Sequence, residues 1–407
     1  MKNPRHQKKI SPRGVALVIV LVGTALLTVL IQAMAYRSSV ELSLATNQRD
    51  ELKAHYLARS GIQFSRLMLV LQKQIEQIKI PNLSELLGPT NTSQFGGYMP
   101  KNLSIQLWSL AKIDCYLTHM LWEPTLGMEL PSQTLPSSCF EVKISDEEER
   151  LNLNQLDATD LKTTIAVAQL LALIGDKKYR FIYEPMDSGS TPITSTEIIQ
   201  NLRDWIDENT STSTLNLSGQ GAPFLDGFAD ENFYYASKYV PHYHAKNARF
   251  DSLDELYMVH GIDDRFMTLF RDRLTVFPDI NSRLNINTND PVLLELAIRS
   301  AADPLKPDAR LQDPFFIETL ISYIRQMKVL SGFALSIDDF VGLLQAAEIA
   351  TNSAITANTK NQRYLGDTSS TFRIQAMGTS GKIKRTLTTV VRMDKEPLGQ
   401  IVYYREE

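Results

Sequence analysis

The chain has 407 residues, long enough for two or three domains and a sizeable core. Its formal charge of −4 is unevenly spread: residues 1–13 carry five bases (Lys2, Arg5, Lys8, Lys9, Arg13) and no acid. Taking those five from the 42 Lys and Arg leaves 37 against 46 Asp and Glu, a net charge of −9, which excludes a body built to bind polyanions.

The first element is an uncharged run, Val15 to Tyr36, whose 22 residues match the length of a membrane-spanning helix. Its basic flank lies on the N-terminal side, so the N-terminus stays cytoplasmic and the body crosses. Three readings are open. One is a plain anchor. Another is a secretory signal peptide, for which Ala33-Met34-Ala35 offers a cleavage pattern. The third is a short basic leader ending at Gly14, cut before Val15 by a prepilin peptidase so that the apolar run survives.

The following stretch favours the third. It continues without Pro to Pro81, and Leu42, Ala45, Leu52, Tyr56, Ile62, Leu67, Leu71, Ile75 and Ile78 recur near helical spacing. One helix from Val15 to Ile80 would be about 100 Å long, apolar all round at first and amphipathic afterwards. A protein released by signal peptidase has no need of such a spine.

Residues 82–110 read as loop. Strands are expected around Ala111–Leu117 and Phe140–Ile144, with Cys115 and Cys139 on or beside them. Two unrelated buried thiols are the plain alternative. In an oxidising compartment a Cys115–Cys139 bridge is favoured, worth about 3 kcal/mol.

A helical region follows, from Asp157 to about Ala357. Thr194–Glu197 and Ser252–Glu255 are capping boxes, Gly261 suits a helix end and Pro291 a first turn. Leu151-Asn152-Leu153-Asn154 and Leu284-Asn285-Ile286-Asn287 form a small repeat, each before a helix. The pattern has something of a DNA-binding helix-hairpin-helix, but the acidic body favours a scaffold with capping asparagines. Thr371–Ala376, Lys384–Met393 and Gln400–Tyr404 close the chain as an antiparallel meander. The fold class is α+β: a pilin-like long N-terminal helix plus antiparallel sheet, with a large all-helical inserted domain.

Arg13-Gly14-Val15-Ala16-Leu17, ERLNLNQL (149–156), DWIDEN (204–209), ADENFYY (229–235), FDSLDELYMVHGI (250–262), RLNINTNDPVLLELA (283–297) and SSTFRIQAMG (369–378) occur in the order seen in the minor pseudopilin K subunits of type II secretion systems, and the chain resembles that family over nearly its whole length. The resemblance implies a leader at 1–14, a transmembrane half-helix at 15–36, amphipathic helix and first strands at 37–150, a helical insert at 151–365 and closing strands at 366–407. It implies leader cleavage, N-terminal methylation, an inner-membrane anchor with a periplasmic body, and a place at the tip of a pseudopilus that supports export across the outer membrane. Minor pseudopilins I and J are the implied partners, with H as a further candidate; no nucleic acid and no catalysis are implied. A minor pilin of a type IV pilus, or a secreted or periplasmic binding protein or hydrolase, are the alternatives.

No transition-metal ligand set is present beyond His242-x-His244, and Gly219-Gln220-Gly221 is a lone glycine turn. Asp204, Asp207, Asp230, Glu231 and Asn232 offer hard oxygens suited to calcium, which the family resemblance also implies. The fifth residue after Gly14 is Ile19, where pilins commonly carry Glu. A buried carboxylate there costs a few kcal/mol unless it meets the amine of a subunit above, so Ile19 suits a terminal subunit.

Overall fold

The computed structural model describes residues 12–75, 103–104, 106–110, 113–116, 138–158, 160–184, 192–218, 221–331, 334–352 and 364–407. The spine is one unbroken helix, α1, from Pro12 to Ile75. Residues 1–11 and 76–80, which the leader and the expected helix include, lie outside the described residues, as do residues 82–102 and 105 of the expected loop 82–110 and Gly219-Gln220.

Burial along α1 changes with composition. Val15 to Leu44 are left uncovered by the rest of the chain. From Ala54 onward one face is covered: Ala54, Ala58, Ile62, Ser65, Leu69 and Gln72 recur every three or four residues and are buried. They rest on a four-stranded antiparallel sheet. After a two-residue strand, β1 (Leu103–Ser104), the sheet's members are β2 (Ser138–Asp146), β10 (Thr371–Ser380), β11 (Ile383–Arg392) and β12 (Gln400–Glu406), in the order β12-β11-β10-β2. Phe372, Ile374, Ala376, Leu387 and Val391 face the helix, and the alternation read from Thr371–Ala376 is the cause. The expected meander gains β2 on the far side of β10, with Ile374 opposite Ile144.

The segment around Ala111–Leu117 is not a strand at the described positions. Ile113 makes a single antiparallel bridge to Val142, and Cys115-Tyr116 is helical. A Cys115–Cys139 disulfide, with Cα atoms 5.3 Å apart, ties the segment to β2.

Between Asp146 and Thr371 the chain leaves the sheet and builds a second core. The insert contains β3 (Leu151–Asn152), helices α2 (Asp160–Ile174) and α3 (Ser195–Ile206), hairpin strands β4 (Ser211–Leu215) and β5 (Phe224–Asp230), then α4 (Phe233–Ser237), α5 (Asp264–Phe270) and β6 (Leu274–Thr275). Next come β7 (Leu284–Asn285), α6 (Pro291–Ala301), α7 (Pro314–Ser331), β8 (Ala334–Leu335), α8 (Ile337–Ala346) and β9 (Leu365–Gly366). The insert is thus helical with short strands added. Both expected capping boxes form, although the second opens a 3-10 helix, Leu253–Met258, and Asp290 caps Pro291 at the start of α6.

The Leu-Asn-x-Asn repeat has a structural meaning. β3 pairs in parallel with β6, and β7 in parallel with β9. Asn154 grips Phe250 through both its N–H (2.9 Å) and its carbonyl (3.1 Å), and also donates to Val276 O. Asn287 grips Leu335 in the same way (2.9 and 3.0 Å) and donates to Asp367 O. Ser252 and Ser336, in the sequences SLDEL and SIDDF, then cap the element that follows each grip. Each half of the insert thus contains this pairing-and-grip module, with the asparagines used in internal hydrogen bonds.

The acidic run Asp146-Glu147-Glu148-Glu149 joins the sheet to both modules. Asp146 accepts from Asn285 (3.0 Å) and Ser369, Glu147 from Arg150, Arg373 and Thr275, and Glu148 from Ser370 (2.7 Å). Burial drives the Glu149 carboxyl up to about 7 and the neighbouring Lys328 ammonium down to about 8.

Candidate functional site

Two features outside the cores stand out: the uncovered spine and a buried carboxylate cluster. On the spine, Gly14, Val15 and Ile19 lie in the exposed first part of α1, and a Cβ added at Gly14 would meet nothing within 4 Å. Among the described residues, α1 is the one helix long and apolar enough to cross a membrane. Beyond the apolar run, the side of α1 turned from the sheet still shows Leu42, Leu52, Tyr56, Leu67 and Leu71. These positions share one face at helical spacing, so α1 carries a second apolar stripe that its own body leaves open.

The cluster forms where α3 ends. Asp204 and Asp207, three residues apart, project from one side of its last turn, and Glu231 arrives just past β5. All three are buried and can place an oxygen within 4.8 Å of one another. The other two expected ligands do not join them. Asp230 is exposed and accepts from Asn232 N (2.9 Å), and Asn232 accepts from Ala245 N (2.8 Å). Neighbouring residues at a strand end point to opposite sides, which sends Glu231 inward and Asp230 outward.

The partners are too few for three carboxylates. Asp204 accepts from Ser213 N (2.6 Å), and Asp207 Oδ2 accepts from Asn209 (2.8 Å) with Arg203 3.5 Å away. Asp207 Oδ1 and both oxygens of Glu231 are buried with no hydrogen-bond partner. Burial, aided by the mutual charges, lifts the Asp204 carboxyl to about 6 and that of Glu231 to about 7. Burial raises Asp207 as well, against the pull of Arg203. Unpaired buried carboxylate oxygens of this kind are costly unless a cation meets them. An all-oxygen donor set fits a hard cation such as calcium rather than a transition metal. Trp205, which lies between Asp204 and Asp207 in sequence, packs edge-on against Tyr235 and Tyr243, and those two rings are tilted to each other.

A helix with an apolar first half, laid by its second half on an antiparallel sheet, is a pilin-like architecture, and here that architecture carries a large insert. Among solved structures, the chain is similar to a chain of the crystal structure of the GspK-GspI-GspJ complex from the enterotoxigenic Escherichia coli type 2 secretion system, with a TM-score of 0.51 and 18% sequence identity. The match covers 89% of this chain and 99% of that one, so the fold, insert included, is GspK-like. No protein-family model and no curated protein sequence matches the chain.

Proposed function

We propose that the chain is a minor pseudopilin of the K type, anchored by residues 15–36 in the inner membrane with its body in the periplasm. In this reading it sits at the tip of a type II secretion pseudopilus, beside I-like and J-like subunits and near an H-like one, and starts or caps assembly. It acts by packing rather than by catalysis. The observation that carries the reading is α1: one helix whose apolar half has no partner in its own chain and whose second half keeps an open apolar stripe opposite the sheet. Such a helix is built to pack on other helices. Ile19 and the bulk of the insert both suit a subunit with nothing stacked above it.

Processing tests the reading first. Prepilin peptidase is expected to cut between Gly14 and Val15, so the mature protein should start at Val15. Because a Cβ at Gly14 meets nothing, Gly14→Val leaves the fold intact and is expected to leave the full-length precursor in the membrane. Mature protein starting at Tyr36 would reject the reading in favour of ordinary secretion, and unchanged processing of the variant would reject the leader.

Calcium belongs to the same proposal, held by Asp204, Asp207 and Glu231. Binding to the folded state alone stabilises it by mass action, about 2.7 kcal/mol when free calcium is a hundred times Kd. Adding millimolar calcium to the metal-stripped chain is therefore expected to raise Tm. An unchanged Tm would mean that the three acids hold no calcium.

A further inference from the structure

The sheet is wider than the helix that rests on it. α1 lies along β10, with β11 and β2 on either side, and barely reaches β12. On β12, Tyr404 pairs with Thr389 and Ile401 with Val391, and Val391 packs under α1. Paired residues share one side of a sheet, so Ile401 and Tyr404 face the side that α1 occupies. They are nevertheless 42% and 48% exposed. The insert packs on the other side of β12, through Tyr403. Two strand spacings, about 9.5 Å, separate β10 from β12, and packed helices lie about 8–10 Å apart. The shoulder beside α1 therefore has the width of one more helix.

The flank of α1 above this shoulder is marked by His55, 3.7 Å from Glu406, and by Arg66, which donates to Leu398 O (2.8 Å) and Gly399 O (2.7 Å) where the chain enters β12. Arg59 lies between them at helical spacing. It is exposed, and among the described residues no carboxylate stands within ion-pair distance of it. Leu52 and Tyr56 edge the same flank and, through Leu42, continue the apolar run 15–36. The described part of the chain takes the opposite flank instead. There Phe64 meets Phe140 of β2 (ring centroids 6.3 Å apart), Leu107 N donates to Gln72 (2.7 Å) and Trp108 packs on Phe372.

Resting on the pseudopilin reading above, we infer that this shoulder seats the amphipathic half of a second pilin-like subunit's N-terminal helix, with an Asp or Glu of that helix against Arg59. The seat takes a helix because its width is that of a helix. It takes a pilin-like one because whatever covers Leu52 and Tyr56 beside α1 runs on toward the membrane, where an apolar half is needed. The acid follows from Arg59, since a guanidinium closed under a helix is costly unless a carboxylate meets it. One polar contact in an otherwise apolar seam fixes the register of two helices, so Arg59 sets how far along α1 the partner stands.

Photocrosslinking in cells that assemble pseudopili tests this. The full chain carries p-benzoylphenylalanine at Ile401 or Tyr404, or, for the opposite flank, at Leu71, two turns beyond Phe64, and adducts are identified by mass spectrometry. Ile401 and Tyr404 are expected to cross-link to the N-terminal helix of another pilin-like chain. Arg59→Glu is expected to lower the Tyr404 adduct at least about fivefold, and Arg59→Lys to restore most of it. Adducts with such a helix from Leu71 alone would overturn the seat and leave the pseudopilin reading standing. So would a product within the chain, joining Tyr404 to residues 76–102 or 117–137. An undiminished Tyr404 adduct in Arg59→Glu would overturn the carboxylate contact. No adduct with any pilin-like chain from any of the three positions would overturn the seat and the pseudopilin reading together.

Discussion

Gly378→Ala is expected to cost at least about 3 kcal/mol, well beyond a usual glycine replacement in a strand. The reason is a contact between backbones. A Cβ at Gly378 on β10 would lie 1.9 Å from Ala54 O and 2.7 Å from Ala58 N of α1. Neither atom belongs to a side chain that could swing away. Helix and sheet must separate, and the packing of Ile62 and Leu69 over Phe372, Ile374 and Leu387 goes with them. Gly366→Ala is the matched control, since its nearest contact would be Arg283 Cβ at 3.5 Å, and it is expected to cost less than about 1 kcal/mol. Urea denaturation of both variants checks this. Equal midpoints would mean that α1 does not rest on β10 as described.

Glu147→Ala is expected to cost about 3–5 kcal/mol at neutral pH, the range for breaking a buried ion pair. The side chain of Glu147 is fully buried and accepts from Arg150 (2.8 Å), Arg373 and Thr275. It therefore holds the sheet, through Arg373, and the first module of the insert, through Thr275. Its removal leaves two guanidinium groups short of a counter-charge. Burial alone would raise the Glu147 carboxyl, but Arg150 and Arg373 outweigh it and hold the group below its usual value of 4.5. A lowered carboxyl contributes stability above its unfolded pKa and loses it as pH falls through the folded one. The gap between wild type and Glu147→Ala should thus be full at pH 7 and shrink below pH 4.5. A gap that stays constant into acid would show that packing, not charge, is what Glu147 supplies.

Where one residue pattern dictated one structure, the sequence was readable. The spine follows from an uncharged run joined without a breaker to a helical period, and the capping boxes at Thr194 and Ser252 from side chains that satisfy nearby backbone. Thr371–Ala376 alternates because one side of β10 meets α1. What depends on distant pairing was not readable. β2 joins β10 across more than two hundred residues of insert, and no local signal announces it. The β4–β5 hairpin is short, and its polar STSTL strand looks like loop. Without that hairpin, period-two alternation could not be used to send Glu231 inward and Asp230 outward. The acidic run at 146–149 reads as solvated surface until Asn285, Thr275, Ser369, Ser370, Arg373 and Lys328 are seen to gather around it.

Position in the filament tests the proposed place at the tip most directly. Immunogold labelling of assembled pseudopili, with antibody against the insert, should mark one end only. Label spaced along the shaft, or filaments that form with no label at all, would contradict it.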